Sequence, residues 1–203
     1  MSHHGTSRAV ALILVALFAA LVMPVGAHAI TRAEVLARGE RWISTKTPYS
    51  QSRYARLDGR LIATSTTNPA RYGYRTDCSG FVSMTLGLTD RSGRPLSLST
   101  AALDDVMRPI TKRELLPGDI ILRPKDLKIG GKPVAYGHAV VFAGWVDEKQ
   151  TRYVAYHQSS SGRGAVRAQV DWGVSGFWKE RGFAPYRCML VNERVKISGS
   201  SGK

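Results

Sequence analysis

Cysteine is scarce in this sequence, with two residues in 203, Cys78 and Cys188. So small a number excludes a scaffold held by several disulfides and leaves either one bond or two thiols. Acidic residues are also few, 15 against 29 lysines and arginines, which gives a net charge of +14. A chain this basic is attracted to anionic polymers or lipid headgroups. The scatter of the basic residues argues against a nucleic-acid partner.

Long apolar runs are equally rare, and the sequence has one, at residues 9–22 after Arg8. Together with Pro24 and the ending Ala27-His28-Ala29, it predicts a signal peptide over residues 1–29. An uncleaved membrane anchor is the alternative, since residues 9–27 are just long enough to span a bilayer. We favour cleavage and therefore expect a secreted or cell-wall protein without a stable membrane span. Export also argues against a nucleic-acid partner.

The remainder suits one domain, over residues 30–192, followed by a flexible tail at 193–203. Ser198 to Lys203 are too polar and glycine-rich to pack. Removal of the first 29 residues takes away Arg8 and no acidic residue, so the net charge falls by one. We expect a monomer.

Two helices and a possible third precede the strands. Thr31 and Glu34 form a capping box before an apolar stripe, which predicts a helix over residues 32–44. Asp77 is the predicted N-cap of a second helix that Cys78 opens. A short third helix is predicted to start at Ser99 or Thr100. Residues 51–75 carry turn signals and predict an irregular excursion with room for one short hairpin.

Segments with strand character follow, at residues 119–122, 138–145, 152–158 and 185–191. The second and third flank the polar turn Asp147-Glu148-Lys149, which is typical of a hairpin. Because helices come first and strands follow, the fold class is α+β with an antiparallel sheet.

Cys78 is the first candidate for chemistry. A cysteine in the first turn of a helix lies near unpaired N–H groups and the positive end of the dipole. We therefore expect its thiolate to be stabilised and its pKa to be lowered. A buried structural thiol remains an alternative, as does a disulfide to Cys188.

After residue 29 the sequence has two histidines, His138 and His157, and both fall in the predicted hairpin. With a four-residue loop at 146–149, His138 is predicted to lie directly opposite His157. A shift of one residue places Gln158 there instead. Either side chain would orient His138 as a base, and two histidines that only pair structurally are the other interpretation. Zinc is disfavoured because the ligands are far apart in the chain, so we expect no metal and no other cofactor.

Three motifs now stand in order: Thr76-Asp77-Cys78-Ser79-Gly80-Phe81-Val82, then Leu116-Pro117-Gly118-Asp119, then Gly137-His138-Ala139-Val140-Val141-Phe142-Ala143-Gly144. They resemble the nucleophile segment, the Pro-Gly-Asp turn and the histidine strand of the NlpC-type cell-wall cysteine peptidases, a papain-like family. The resemblance extends from about Trp42 to Arg187. It implies a papain-like NlpC-type fold with N-terminal helices packed on a central antiparallel sheet.

The resemblance also implies roles for residues. Cys78 is the nucleophile and His138 the base, while His157 takes the third, orienting place. Substrate-binding roles fall to Tyr49, Asp77 and Ser79, with Tyr49 near the oxyanion. The segment between Tyr49 and Cys78 is longer than is common in the family.

The implied reaction is hydrolysis of an amide bond through an acyl-enzyme, and the implied substrate is the peptidoglycan stem peptide. Peptidoglycan or another anionic wall polymer is thus the expected partner. Two other functions are compatible with the same residues: a wall-binding module without turnover, and an amidase or acyltransferase that acts on another substrate.

Overall fold

The computed structural model describes residues 30–134, 136–161, 164–173 and 182–192. The predicted signal peptide and the predicted tail lie outside these ranges. Within them, no helix is both long enough and apolar enough to cross a membrane.

The three predicted helices are confirmed. Helix α1 is Arg32–Ser44 and begins with the predicted capping box of Thr31 and Glu34. Helix α2 is Cys78–Thr85 and helix α3 is Thr100–Asp104, which Ser99 caps. Gly87 follows α2 at a φ of +63°, a conformation in which glycine ends a helix without strain.

Twelve strands lie in the described part of the chain: β1 Ile30–Thr31, β2 Tyr54–Ala55, β3 Tyr74–Arg75, β4 Met107–Pro109, β5 Ile120–Arg123, β6 Lys128–Ile129, β7 Lys132–Pro133, β8 His138–Trp145, β9 Arg152–Ser159, β10 Gly164–Asp171, β11 Ala184–Cys188 and β12 Val191–Asn192. Six of them form the main sheet in the order β10-β9-β8-β5-β11-β4, and every neighbouring pair is antiparallel. The predicted α+β class with an antiparallel sheet is confirmed. The irregular excursion at 51–75 contains one short pairing, β2 with β3, as expected.

Strand β10 is absent from the sequence prediction, although it pairs with β9 along its full length. Its apolar positions are valine and alanine alternating with polar residues, and it forms the edge of the sheet. The strand carries a weak sequence signal because Val166 and Val170 are its only strong strand formers, whereas glycine, alanine and aspartate are depleted in strands.

The two faces of the sheet bury different sets of side chains. The helical face holds Ala139 and Val141 of β8 in one cluster with Phe81 of α2 and Val35 of α1. The second face holds side chains of a separate cluster, which includes Val140, Phe142, Tyr153, Ala155 and Phe183. Gly39 lets α1 approach the sheet, since a Cβ there would lie 3.0 Å from the Tyr156 ring.

A buried charge cluster joins α1 and β11 to the turn before β5. The Asp119 side chain is 1% exposed and accepts hydrogen bonds from Arg32 Nη1 at 2.8 Å and Arg187 Nη2 at 3.0 Å. Arg32 Nη1 also donates to the carbonyl of Pro117 at 3.0 Å, and Asp119 accepts from the Leu116 N–H at 2.8 Å. The Pro-Gly-Asp turn is therefore part of the structural framework.

Candidate active site

The first turn of α2 holds Cys78 beneath the sheet. Asp77 caps the helix through a hydrogen bond of 2.7 Å from the Gly80 N–H to Oδ1. Backbone groups of Ala139 on β8 and Ser79 on α2 favour the thiolate and act to lower the pKa of Cys78. Cys78 is 9% exposed, so the protein covers most of its surface.

Gly80 is required by the packing of the segment that leads into α2. A Cβ at position 80 would overlap the backbone carbonyl oxygen of Arg75 and lie 2.9 Å from Asp77 Oδ1. Because a backbone carbonyl has little freedom to move, any larger residue would displace the start of the helix and Cys78 with it.

Asp77 and Ser79 are joined by Arg75. The guanidinium donates from Nε to Asp77 Oδ2 at 2.6 Å and from Nη2 to Ser79 Oγ at 2.9 Å. Nη2 also donates to the Leu98 carbonyl at 3.2 Å. Sequence reasoning missed Arg75, although an arginine two residues before the helix cap was visible in the sequence.

A pocket of about 700 Å³ opens over the thiol. Five of the six predicted site residues line it: Tyr49, Asp77, Cys78, Ser79 and His138. Arg75, Lys125 and Gln158 line it as well. His157 is not among its lining residues. The structure thus places the predicted nucleophile and the predicted base at one cavity.

The predicted register of the hairpin is wrong. Val141 pairs with Tyr156 and Trp145 with Tyr153, and a β-bulge falls between Phe142 and Gly144. Extending this register places His157 opposite Val140, two residues beyond His138. The prediction failed because it assumed a four-residue loop and no bulge, whereas residues 146–151 connect the strands.

The two imidazoles nevertheless meet. Their ring centroids are 5.7 Å apart at an interplanar angle of 89°, since diagonal neighbours on one face of a sheet lie within reach of large side chains. By alternation with Val140 and Ala155, His138 and His157 lie on the second face, where the Phe183 ring is 6.3 Å from His138. Cys78 approaches from the helical face.

Gln158 lies on the helical face, as Tyr156 does two residues before it. It is fully buried, and its Nε2 donates to the Thr47 carbonyl at 3.1 Å. Its Oε1 is buried without a hydrogen-bond partner among the described residues. The structure therefore places His157 beside His138 and Gln158 in the wall of the Cys78 pocket.

Burial sets the protonation of both predicted catalytic groups. It raises the pKa of Cys78 to about 11, an effect to which the Asp77 charge adds. The expected lowering of the thiol pKa is wrong for this structure, because burial outweighs the backbone N–H groups at the helix start. Burial, His157 and Arg123 lower the pKa of His138 to about 4. Near pH 7, thiol and imidazole are both neutral.

The alternative of a disulfide between Cys78 and Cys188 does not hold in the structure. Cys188 is 2% exposed, and both cysteines are free thiols, so no disulfide joins them. No group of three or more histidine, cysteine or acidic side chains in the described ranges is arranged to hold a metal ion.

No family model matches the chain, and no curated protein matches it. Among solved structures, it is similar to the peptidoglycan hydrolase RipB from Mycobacterium tuberculosis, with a TM-score of 0.42 and 19% sequence identity. That alignment covers 89% of this chain and 78% of the RipB chain.

Proposed function

We propose that this chain is a secreted cysteine hydrolase of the NlpC type that cleaves amide bonds in peptidoglycan stem peptides. The observation that supports it most is the convergence of Cys78 and His138 on one pocket, with the thiol in the first turn of a capped helix. The reaction class and the substrate are supported by the resemblance of the three sequence motifs to those of the NlpC-type family.

The reaction begins from the neutral pair. As the Cys78 sulfur attacks the carbonyl carbon, its proton passes to the His138 imidazole, which is free to accept one because it is unprotonated near pH 7. The carbonyl oxygen becomes an oxyanion that the Cys78 backbone N–H stabilises. The C–N bond then breaks, and His138 returns the proton to the leaving amine. Water hydrolyses the acyl-enzyme in the same manner.

His138 must turn toward the thiol for this step, because its ring packs with His157 and Phe183 on the second face. Catalytic hydrogen bonds are often formed only once substrate is bound. His138 is the first residue of β8, and Ala139, whose backbone lowers the pKa of Cys78, follows it directly, so the imidazole has a short way to turn around the end of the strand.

The test is digestion of purified cell walls, with product analysis by mass spectrometry. Cys78→Ala and His138→Ala should each abolish product, and the double variant should lose little more, because the two groups act as one unit. Cys188→Ala is the matched control and should keep its activity. Losses that multiply in the double variant would contradict a shared step.

The orienting role falls to His157, since its ring lies beside that of His138. His157→Ala should lower kcat by less than loss of Cys78 or His138 does, because nucleophile and base remain. Gln158→Ala should reduce stability, since it leaves a cavity and removes one of the two donors to the Thr47 carbonyl, the other being the Ala165 N–H. A large fall in kcat for Gln158→Ala at unchanged stability, with His157→Ala silent, would assign the role to Gln158 instead.

A wall-binding module without turnover is the second candidate. It is favoured by the neutral state of the Cys78 thiol, because the thiolate is the nucleophilic form of cysteine. The two functions separate in the same assay. A binding module would sediment with purified walls and release no peptide fragments, and Cys78→Ala would leave its sedimentation unchanged.

A further inference from the structure

The charges that line the Cys78 pocket are unbalanced. Two basic side chains, Arg75 and Lys125, face a single carboxylate, that of Asp77, among the described lining residues. Which of these charges is available to a substrate depends on the contacts that each already makes.

Asp77 has no free oxygen for a substrate cation. Its Oδ1 accepts from the Gly80 N–H at 2.7 Å and from the Ser79 hydroxyl at 3.4 Å, while Oδ2 accepts from Arg75 Nε at 2.6 Å. Its side chain is 10% exposed. A substrate ammonium would have to displace both the helix cap and the salt bridge, which makes Asp77 a poor receptor for one.

Arg75 is similarly engaged. Its charge is compensated by Asp77, and Nη2 is bound to Ser79 Oγ and to the Leu98 carbonyl. The pair therefore contributes little net field to the pocket.

Lys125 differs from both. It is exposed, and no ion-pair partner for it lies in the described ranges. Its backbone nitrogen lies 2.9 Å from the position that a Cβ of Gly137 would take, so the residue borders the turn just before His138. A positive charge with no partner among the described residues thus lines the pocket on the side of His138.

We propose that Lys125 is a specificity-determining residue that binds a carboxylate of the peptide substrate close to the scissile amide. The site would then select peptides that carry a free acid at that place over the same peptides with a carboxamide. This inference rests on the proposed function and names the class of peptide that the site prefers.

The experiment measures binding to Cys78→Ala, so that no turnover intervenes. The probes are the synthetic peptide L-alanyl-γ-D-glutamyl-L-lysine with its glutamyl α-carboxylate free, and the same peptide with a carboxamide there. Lys125→Met keeps the length of the side chain and removes its charge, and Lys128→Met is the matched control, since Lys128 is exposed and does not line the pocket.

Lys125→Met should weaken binding of the free acid about two- to five-fold, the range of an exposed ion pair, and leave the carboxamide unchanged. The difference should vanish at about 0.5 M salt because the charges are then screened. Lys128→Met should change neither peptide. If Lys125→Met weakens binding of both peptides equally, or of neither, the inference about Lys125 is overturned while the proposed function stands. Failure of Cys78→Ala to bind either peptide overturns the proposed substrate and this inference with it.

Discussion

The pH dependence of Cys78 alkylation is set by the burial of its thiol. With a pKa of about 11, about 0.1% of the thiol is ionised at pH 8, whereas about a quarter of a thiol with the ordinary pKa near 8.5 is ionised. Since the thiolate is the reactive form, iodoacetamide should modify native Cys78 more than about 100-fold more slowly than an exposed cysteine at pH 8. The rate should rise about tenfold per pH unit up to about pH 10.

The assay follows alkylation of Cys188→Ala by mass spectrometry across pH 6 to 10, so that one cysteine reacts. The same protein in urea is the control, and its rate should level off above about pH 9. Asp77→Asn should shift the native rise to lower pH, since the Asp77 charge raises the pKa of Cys78. A plateau of the native rate below pH 8 would refute the reasoning, because it would show a thiolate paired with an imidazolium.

Two predictions concern stability. Asp119→Asn should lower the free energy of unfolding in urea by about 3–5 kcal/mol, because it leaves Arg32 and Arg187 buried without a counter-charge. Asp58 is exposed and provides the control, since Asp58→Asn should change the free energy of unfolding by less than about 0.5 kcal/mol. A loss for Asp119→Asn equal to that control would contradict the cluster's role. Folding lowers the pKa of His138 from 6.5 to about 4, so the unfolded state binds more protons between those values. Stability should therefore fall by about 3 kcal/mol from pH 6.5 to 4, and His138→Gln should flatten that decline.

Local signals in the sequence were sufficient for the helices. The capping box at Thr31 and Glu34, and the cap at Asp77, fix where α1 and α2 begin because the bonds involved span three residues. The strands 138–145 and 152–158 were predicted to within one residue of β8 and β9 for a similar reason, since each contains a local run of valine and aromatic residues.

Relations between strands were harder to predict. A β-bulge near Gly144 changes the register of β8 with β9, and the glycine inside the predicted strand was a signal that the register prediction did not use. The thiol pKa was missed because the helix start is visible in sequence, whereas burial of Cys78 under β8 depends on packing of distant segments. Lys125 belongs to the pocket only because the turn at Gly137 folds against it.

The order of the main sheet has a consequence for folding during synthesis. Strand β11 lies between β5 and β4, although it is made long after both. Until Ala184 to Cys188 leave the ribosome, the apolar strand Ile120–Arg123 has β8 on one side and an open edge on the other. An unpaired apolar edge invites association with other chains. The centre of the sheet can therefore close only after residue 188 has been made, and chains that stop before residue 184 should aggregate rather than fold.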